Sequence, residues 1–161
     1  MAANSTVESA VAIRNEENRE QEKPVDREKT CPLLLRVFCA MGRHHGLGDY
    51  ARGNVPTSEL QIYTWTDATL LEIMGLVREV NYEARRRGTH FSFAQIYPDS
   101  RNPGNSGYSR RDMGRTICGE RGPDDLKTLK QCRFSIGDYI DIAITTPMRV
   151  GNQGNRRFRP Y

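Results

Sequence analysis

The sequence predicts an α+β domain of the β-grasp type: a mixed sheet, one main helix and loop insertions. Three observations predict it. Apolar residues alternate with period two in Leu33–Ala40 and Tyr139–Thr145, far apart in the chain and both apolar enough to be central strands. One later segment, opening at Thr66-Asp67, carries apolar residues at helical spacing. The element order is two strands, a helix and two or more strands, the last near the C-terminus. In that order the last strand lies in the middle of the sheet, parallel to the first. A ferredoxin-like arrangement ranks second. It needs a helix before the final strand, and residues 119–133 hold two Gly/Pro breaks and no long apolar face.

Each element has its own justification. The sheet begins after Cys31-Pro32. In the first strand Leu33, Leu35, Val37 and Cys39 share one face, and Leu34, Arg36, Phe38 and Ala40 share the other. Residues 41–56 are rich in Gly, His and Arg and read as a wide, exposed loop. Glu59–Trp65 is the second strand, which a β-grasp sheet leaves at an edge. Thr66 or Asp67 is expected to cap the helix. Leu70, Ile73, Met74, Val77 and Val80 form its buried stripe, widened by Leu71 and Leu76. Arg85, Arg86, Arg87 and Gly88 supply the cations and the Gly stop expected past a helix end. His90–Tyr97 is the third strand. A fourth, short strand falls within Tyr108–Cys118, and Thr128–Phe134 reads as extended chain leading into the last strand. There Ile140, Ile142 and Ile144 face inward, while Tyr139, Asp141, Ala143 and Thr145 face outward.

Composition bounds the rest. Of 161 residues, 37% are apolar, enough for one core but unevenly spread. Residues 1–30 carry seven acidic and five basic side chains and no apolar cluster, so residues 1–23 read as a disordered charged arm. The folded domain is expected over residues 24–149, with a basic flexible tail over 150–161. Both ends should be removable without unfolding it. No run is apolar and long enough for a signal peptide or a membrane span, which predicts a soluble, intracellular protein without membrane partners. The formal charge is +4. Residues 101–133 hold eight basic and four acidic residues, and the tail adds Arg149, Arg156, Arg157 and Arg159. That segregation suggests anionic partners or a nuclear address.

The chemistry-bearing residues form no catalytic set. Asp138 and Asp141 with His90 are the nearest approach to a hydrolase, yet Asp138 falls in a turn and Asp141 on the outward strand face. His44-His45 lacks a third metal ligand nearby in sequence, and adjacent side chains point apart in most backbones, so a solvated loop is the better reading. Cys31, Cys39, Cys118 and Cys132 lack Cys-x-x-Cys spacing and read as free thiols; Cys39 is a small core residue, and Cys118 near Arg115 and Arg121 a bystander. Gly114, Gly119 and Gly122 form no phosphate loop. Gly151 and Gly154 are not adjacent, which excludes a conjugated modifier. No cofactor is implied. Trp65 reads as structural, and Tyr63 is left open between packing and binding.

Several blocks in order carry a family resemblance. They are Pro24–Phe38, Gly42-Arg-His-His45, Arg52-Gly-Asn-Val-Pro56, Glu59–Trp65, Asp67-Ala-Thr-Leu70, Gly88-Thr-His-Phe91, Ile136–Ile144 and the Arg-Pro-Tyr161 ending. Together they resemble the 18-kilodalton Sin-three-associated polypeptide family, subunits of a histone-deacetylase corepressor. The resemblance implies a ubiquitin-like fold, no catalysis and a nuclear address, with nuclear speckles and some cytoplasmic protein included. It implies two sets of partners. One is corepressor subunits with histone deacetylase, with sequence-specific transcription factors beside them. The other is Acinus and a serine-rich RNA-binding splicing regulator, which associate with the exon junction complex. The protein is then an adaptor in transcriptional repression and mRNA processing. Candidate partner-binding residues are Arg43, His44, His45, Arg52, Gln61 and Tyr63, on the loop and on the edge strand it adjoins. A different reading is auxiliary RNA binding through the basic loop and tail. It predicts weak contact only, because no aromatic strand motif of an RNA-recognition module is legible.

Overall fold

The computed structural model describes residues 24–101 and 107–148. The arm 1–23, the tail from 149 and part of the loop after Arg101 lie outside the described residues. Five strands form one sheet: β1 (Leu33–Met41), β2 (Glu59–Thr64), β3 (His90–Pro98), β4 (Tyr108–Ile117) and β5 (Tyr139–Thr145). Their order is β2-β1-β5-β3-β4. β5 runs parallel to β1, with Val37 opposite Ile140 and Cys39 opposite Ile142, and antiparallel to β3. β1–β2 and β3–β4 are antiparallel pairs. The one long helix among the described residues, α1 (Leu70–Val80), connects the first pair to the second. This is the ubiquitin-like β-grasp topology, with the last strand central and parallel to the first.

α1 is amphipathic, and Leu70, Ile73, Met74 and Val77 are buried. They pack in one cluster with Leu35, Val37, Phe91, Phe93, Ile140, Ile142 and Ile144, all from one face of the sheet. Burial of each such side chain is worth about 1.5–3 kcal/mol, which makes this face the main stabilising layer. The helix starts later than Thr66-Asp67. Thr69 is the cap, its side chain accepting from the Glu72 amide at 3.2 Å. Asp67 is held elsewhere. Arg27 donates to it at 3.1 Å and to Glu72 at 2.9 Å, and lies over the Trp65 ring at 5.0 Å. Trp65 donates its indole N–H to the Thr30 carbonyl at 2.7 Å, the structural role expected of it. The helix also stops earlier than Gly88. Asn81 caps it, a short 3-10 segment follows over Tyr82–Arg85, and Val80 is left exposed. Gly88 instead makes the left-handed turn into β3, with φ +84°.

Two strand-level expectations change. β4 is ten residues long rather than short. It is recovered by a bulge: Phe93 pairs with Gly114 and Ala94 with Asp112, so Met113 is an extra residue buried in the core. The freed Met113 carbonyl accepts from Lys127 Nζ at 2.8 Å. Gly114 sits at φ +143°, and a Cβ there would meet the Asp124 side chain at 2.9 Å, so the bulge needs glycine. Residues 128–134 are turns rather than extended chain; Thr128 makes one bridge to Thr69, and Leu129 and Phe134 then enter the core.

Candidate functional site

The segment between β1 and β2 does not stand off as an exposed loop. It folds back as a strap over the sheet face opposite α1. Leu47–Gly53 forms 3-10 turns, with Arg52 left-handed at φ 56°. The strap presses Tyr50 onto the sheet until it is fully buried. Tyr50 stacks on Tyr139 and meets Phe38 edge-on, both at 5.5 Å between ring centroids, and Ile96 completes this second, smaller cluster. A sheet read as half-buried is therefore covered on both faces over its middle strands.

Beside that cluster lies Asp141. It is on the outward face, as the alternation requires, but it is fully buried under the strap. The Tyr50 hydroxyl donates to its Oδ2 at 2.5 Å. His44 Nδ1 lies 2.8 Å from Oδ1, and His45 Nδ1 lies 2.8 Å from Oδ2. The His45 amide adds a contact to Oδ1 at 3.3 Å. The other His44 nitrogen meets Ser92 Oγ at 3.1 Å. Burial works to raise the Asp141 pKa, but the bonds from His44, Tyr50 and His45 outweigh it and hold the carboxyl below its ordinary value. Burial and the same carboxylate push the Tyr50 hydroxyl far above the usual phenol range. Burial, with Asp141 nearby, pushes the Cys39 thiol up to about 12, so at neutral pH it is a thiol packed against the core.

This corrects two sequence readings. Asp141 is not a solvated outward carboxylate, and His44-His45 is not a solvated pair. Both rings are half-buried and turned to the same carboxylate, because the chain leaves the sheet at Gly42, left-handed at φ +82°, and runs across it. Among the described residues no group of three or more His, Cys, Asp and Glu side chains is placed to hold a metal ion. Asp138 lies in its turn as expected, but is buried and accepts from Gln95 Nε2 and the Ser135 amide. Cys118 is buried with its thiol toward the Arg85 carbonyl.

The six candidate partner-binding residues do not converge. Arg43, His44 and His45 lie at the start of the strap, which crosses β1 to reach β5 and β3, away from the β2 edge it was expected to adjoin. Arg52 is exposed in the strap's left-handed turn. Gln61 and Tyr63 are exposed on β2 at the sheet's edge; Tyr63 is 67% accessible and sits opposite the partly exposed Leu34. Glu59 on the same strand is held by Arg36, which lowers its pKa and stacks over Tyr139.

A cleft of about 510 Å³ opens on the strap face near the start of β3. Gly42, Arg43 and His44 form one wall, Arg110 and Arg115 of β4 the other, and Ser92 and Ala143 line it between them. Sequence reading passed over Ser92 and Arg110, and weighed His90 only as a hydrolase partner and Arg115 only as a cation near Cys118 and as charge. Nothing local in β4 says which face Arg110 and Arg115 share.

Comparison with known proteins places the chain. Residues 24–144 match the family model of Sin3 associated polypeptide p18 (SAP18). The chain belongs to that family. The Drosophila melanogaster histone deacetylase complex subunit SAP18 is 54% identical over 145 residues, 90% of this chain and 94% of that protein. The Homo sapiens subunit of the same name is 54% identical over 156 residues, covering 96% and 99%. The Arabidopsis thaliana subunit is 50% identical over 135 residues, covering 82% and 86%. The C-terminal ubiquitin-like domain of mouse tubulin-specific chaperone e shares 13% identity at a TM-score of 0.38, covering 78% of this chain and 97% of that one. The β-grasp assignment rests on the strand order above.

Proposed function

We propose that this chain is a non-enzymatic nuclear adaptor: a histone deacetylase complex subunit in transcriptional repression that also joins an Acinus-containing, exon-junction-associated assembly in mRNA processing. Membership of the SAP18 family supports the first role, since the relatives carry the name of histone deacetylase complex subunits. The second role and the nuclear speckle address rest on the resemblance alone. The observation that carries an adaptor reading is the contrast between the two sheet edges. β4 is blunted by a bulge and by Arg110, Arg111 and Arg115, devices that discourage further pairing. β2 is regular, pairs only with β1, and presents Tyr63 beside Leu34 as an exposed apolar anchor. An edge of that kind takes a partner segment by strand addition, with main-chain bonds for affinity and an aromatic for specificity.

The test is capture from nuclear extract with the tagged full chain and its Tyr63→Ala variant. Wild type should recover deacetylase-complex subunits and Acinus-containing subunits. Tyr63→Ala should lose them at unchanged thermal stability. Recovery of neither assembly by folded wild type would sink the reading.

A further inference from the structure

The cleft on the strap face has a charge that the fold does not consume. Arg27 and Arg36 are tied up by carboxylates. Among the described residues, Arg43, Arg110 and Arg115 pair with no carboxylate, and all three are exposed at the rim of one cleft. His90 stands exposed at its end. By register Asp112 shares this face of β4, and it is outnumbered by the three arginines. Asp141, the buried acid beneath, has its oxygens occupied by hydrogen bonds to His44, His45 and Tyr50 and offers none to the cleft.

The cleft is also preorganised. His44 is fixed at both ring nitrogens, by Asp141 and by Ser92, so the wall that carries Arg43 is anchored to β5 and β3. Arg110 Nη1 reaches the His45 carbonyl at 3.5 Å, which draws the opposite wall toward the strap. Between the walls Ser92 and Ala143 present small side chains, leaving room above the sheet. A volume of about 510 Å³ is that of a ligand-sized site.

We propose that this cleft binds an acidic peptide segment of a partner protein, its carboxylates received by Arg43, Arg110 and Arg115. Guanidinium groups present forked donors that match carboxylates bidentately. Nucleic acid fits less well. Phe91, the one Phe, Tyr or Trp ring lining the cleft, is fully buried in the α1-side core, which leaves only the imidazole of His90 exposed for a base to stack on. The inference deepens the adaptor reading and rests on it for the source of the peptide. It uses a surface separate from the β2 edge.

The experiment titrates the full chain with a fluorescent Glu-Asp-Glu-Asp-Glu-Asp peptide and, separately, with hexauridine, at low and physiological salt. Replacing Arg110→Glu and Arg115→Glu together should weaken the peptide about tenfold or more, while Arg86→Glu, outside the cleft, changes it less than about twofold. Amide shifts on peptide addition should centre on Ser92, Ala143 and Thr145. Thermal unfolding checks the fold of each variant, and Arg43→Glu on the strap serves if the double variant does not fold. Unchanged peptide affinity in a folded cleft variant, or shifts confined to other surfaces, overturns the proposal. So does hexauridine binding more tightly than the peptide through the same arginines, which would make the cleft a phosphodiester site. Capture of complex subunits by wild type and Tyr63→Ala tests the adaptor reading, and peptide titration of the cleft variants tests the cleft, so the two readings fail separately.

Discussion

The two faces of the sheet are stabilised by different chemistry. On the α1 face, aliphatic and aromatic side chains from all five strands meet one helix stripe. Its energy is non-directional and scales with area removed from water. On the strap face, a small aromatic cluster adjoins a buried carboxylate whose bonds must all be made at once. There the cost of leaving a donor unpaired exceeds the gain from pairing it. The first face supplies most of the stability. The second fixes the path of one loop, and through it the walls of the cleft.

The comparison can be broken most severely by removing what both faces share. A chain ending at Gly137 lacks β5 and should not fold cooperatively, whereas one spanning 24–149 should melt as a folded domain; circular dichroism on heating decides. Next, Ile142→Ala empties the α1 face at a fully buried site and should cost about 2–5 kcal/mol in urea unfolding. Asp141→Asn tests the other face, with an expected cost of about 2–3 kcal/mol. Its pH dependence carries the sign. The folded-state pKa of Asp141 is lowered, so its contribution is complete above the unfolded value near 4 and is lost as pH falls through the folded value. The stability difference between wild type and Asp141→Asn should therefore shrink on acidification below about pH 4. A difference constant from pH 7 to 3 would mean that the carboxylate's charge is irrelevant. Smallest, Tyr50→Phe keeps the ring contacts and removes one bond to a charged acceptor, about 1.5–3 kcal/mol at most. A loss larger than that of Asp141→Asn would show that the Tyr50 hydroxyl stabilises the strap by more than its bond to the carboxylate.

The α1 face was legible because its signal is periodic. Leu33, Leu35 and Val37 on β1 and Ile140, Ile142 and Ile144 on β5 alternate, and α1 repeats at helical spacing, so sheet, helix and the parallel central pair follow from the sequence. The strap face was not, because its contacts join residues more than ninety positions apart with no periodicity between them. Asp141 obeys the alternation that assigned it outward. What alternation cannot supply is that residues 42–58 cover that face. The hints were an aromatic, Tyr50, inside a Gly-rich stretch and an acid between two isoleucines. The helix is capped at Thr69 rather than Asp67; the Asp67 carboxylate is bonded by Arg27, and a separate turn, Ala68 N–H to the Trp65 carbonyl, precedes the cap. The bulge at Met113 was hidden because an extra residue shifts the alternation of β4 halfway along. Of the candidate residues, Arg43 and His44 fall at the cleft, while Gln61 and Tyr63 sit on the far edge.

β5 is the only strand that joins the two antiparallel pairs, β1–β2 on one side and β3–β4 on the other. It is also the last strand among the described residues. Until residues 139–145 are available, each hairpin can form locally, yet β1 and β3 each keep one unpaired row of backbone groups toward the gap. Both waiting edges are apolar, and each pairs only with a segment distant in sequence. Closing the sheet is therefore a late, long-range step, of the kind that slows folding. During synthesis the chain passes through a stage with two adhesive strand edges and no native occupant for either. That stage, rather than the finished domain, is where chaperone protection would matter most.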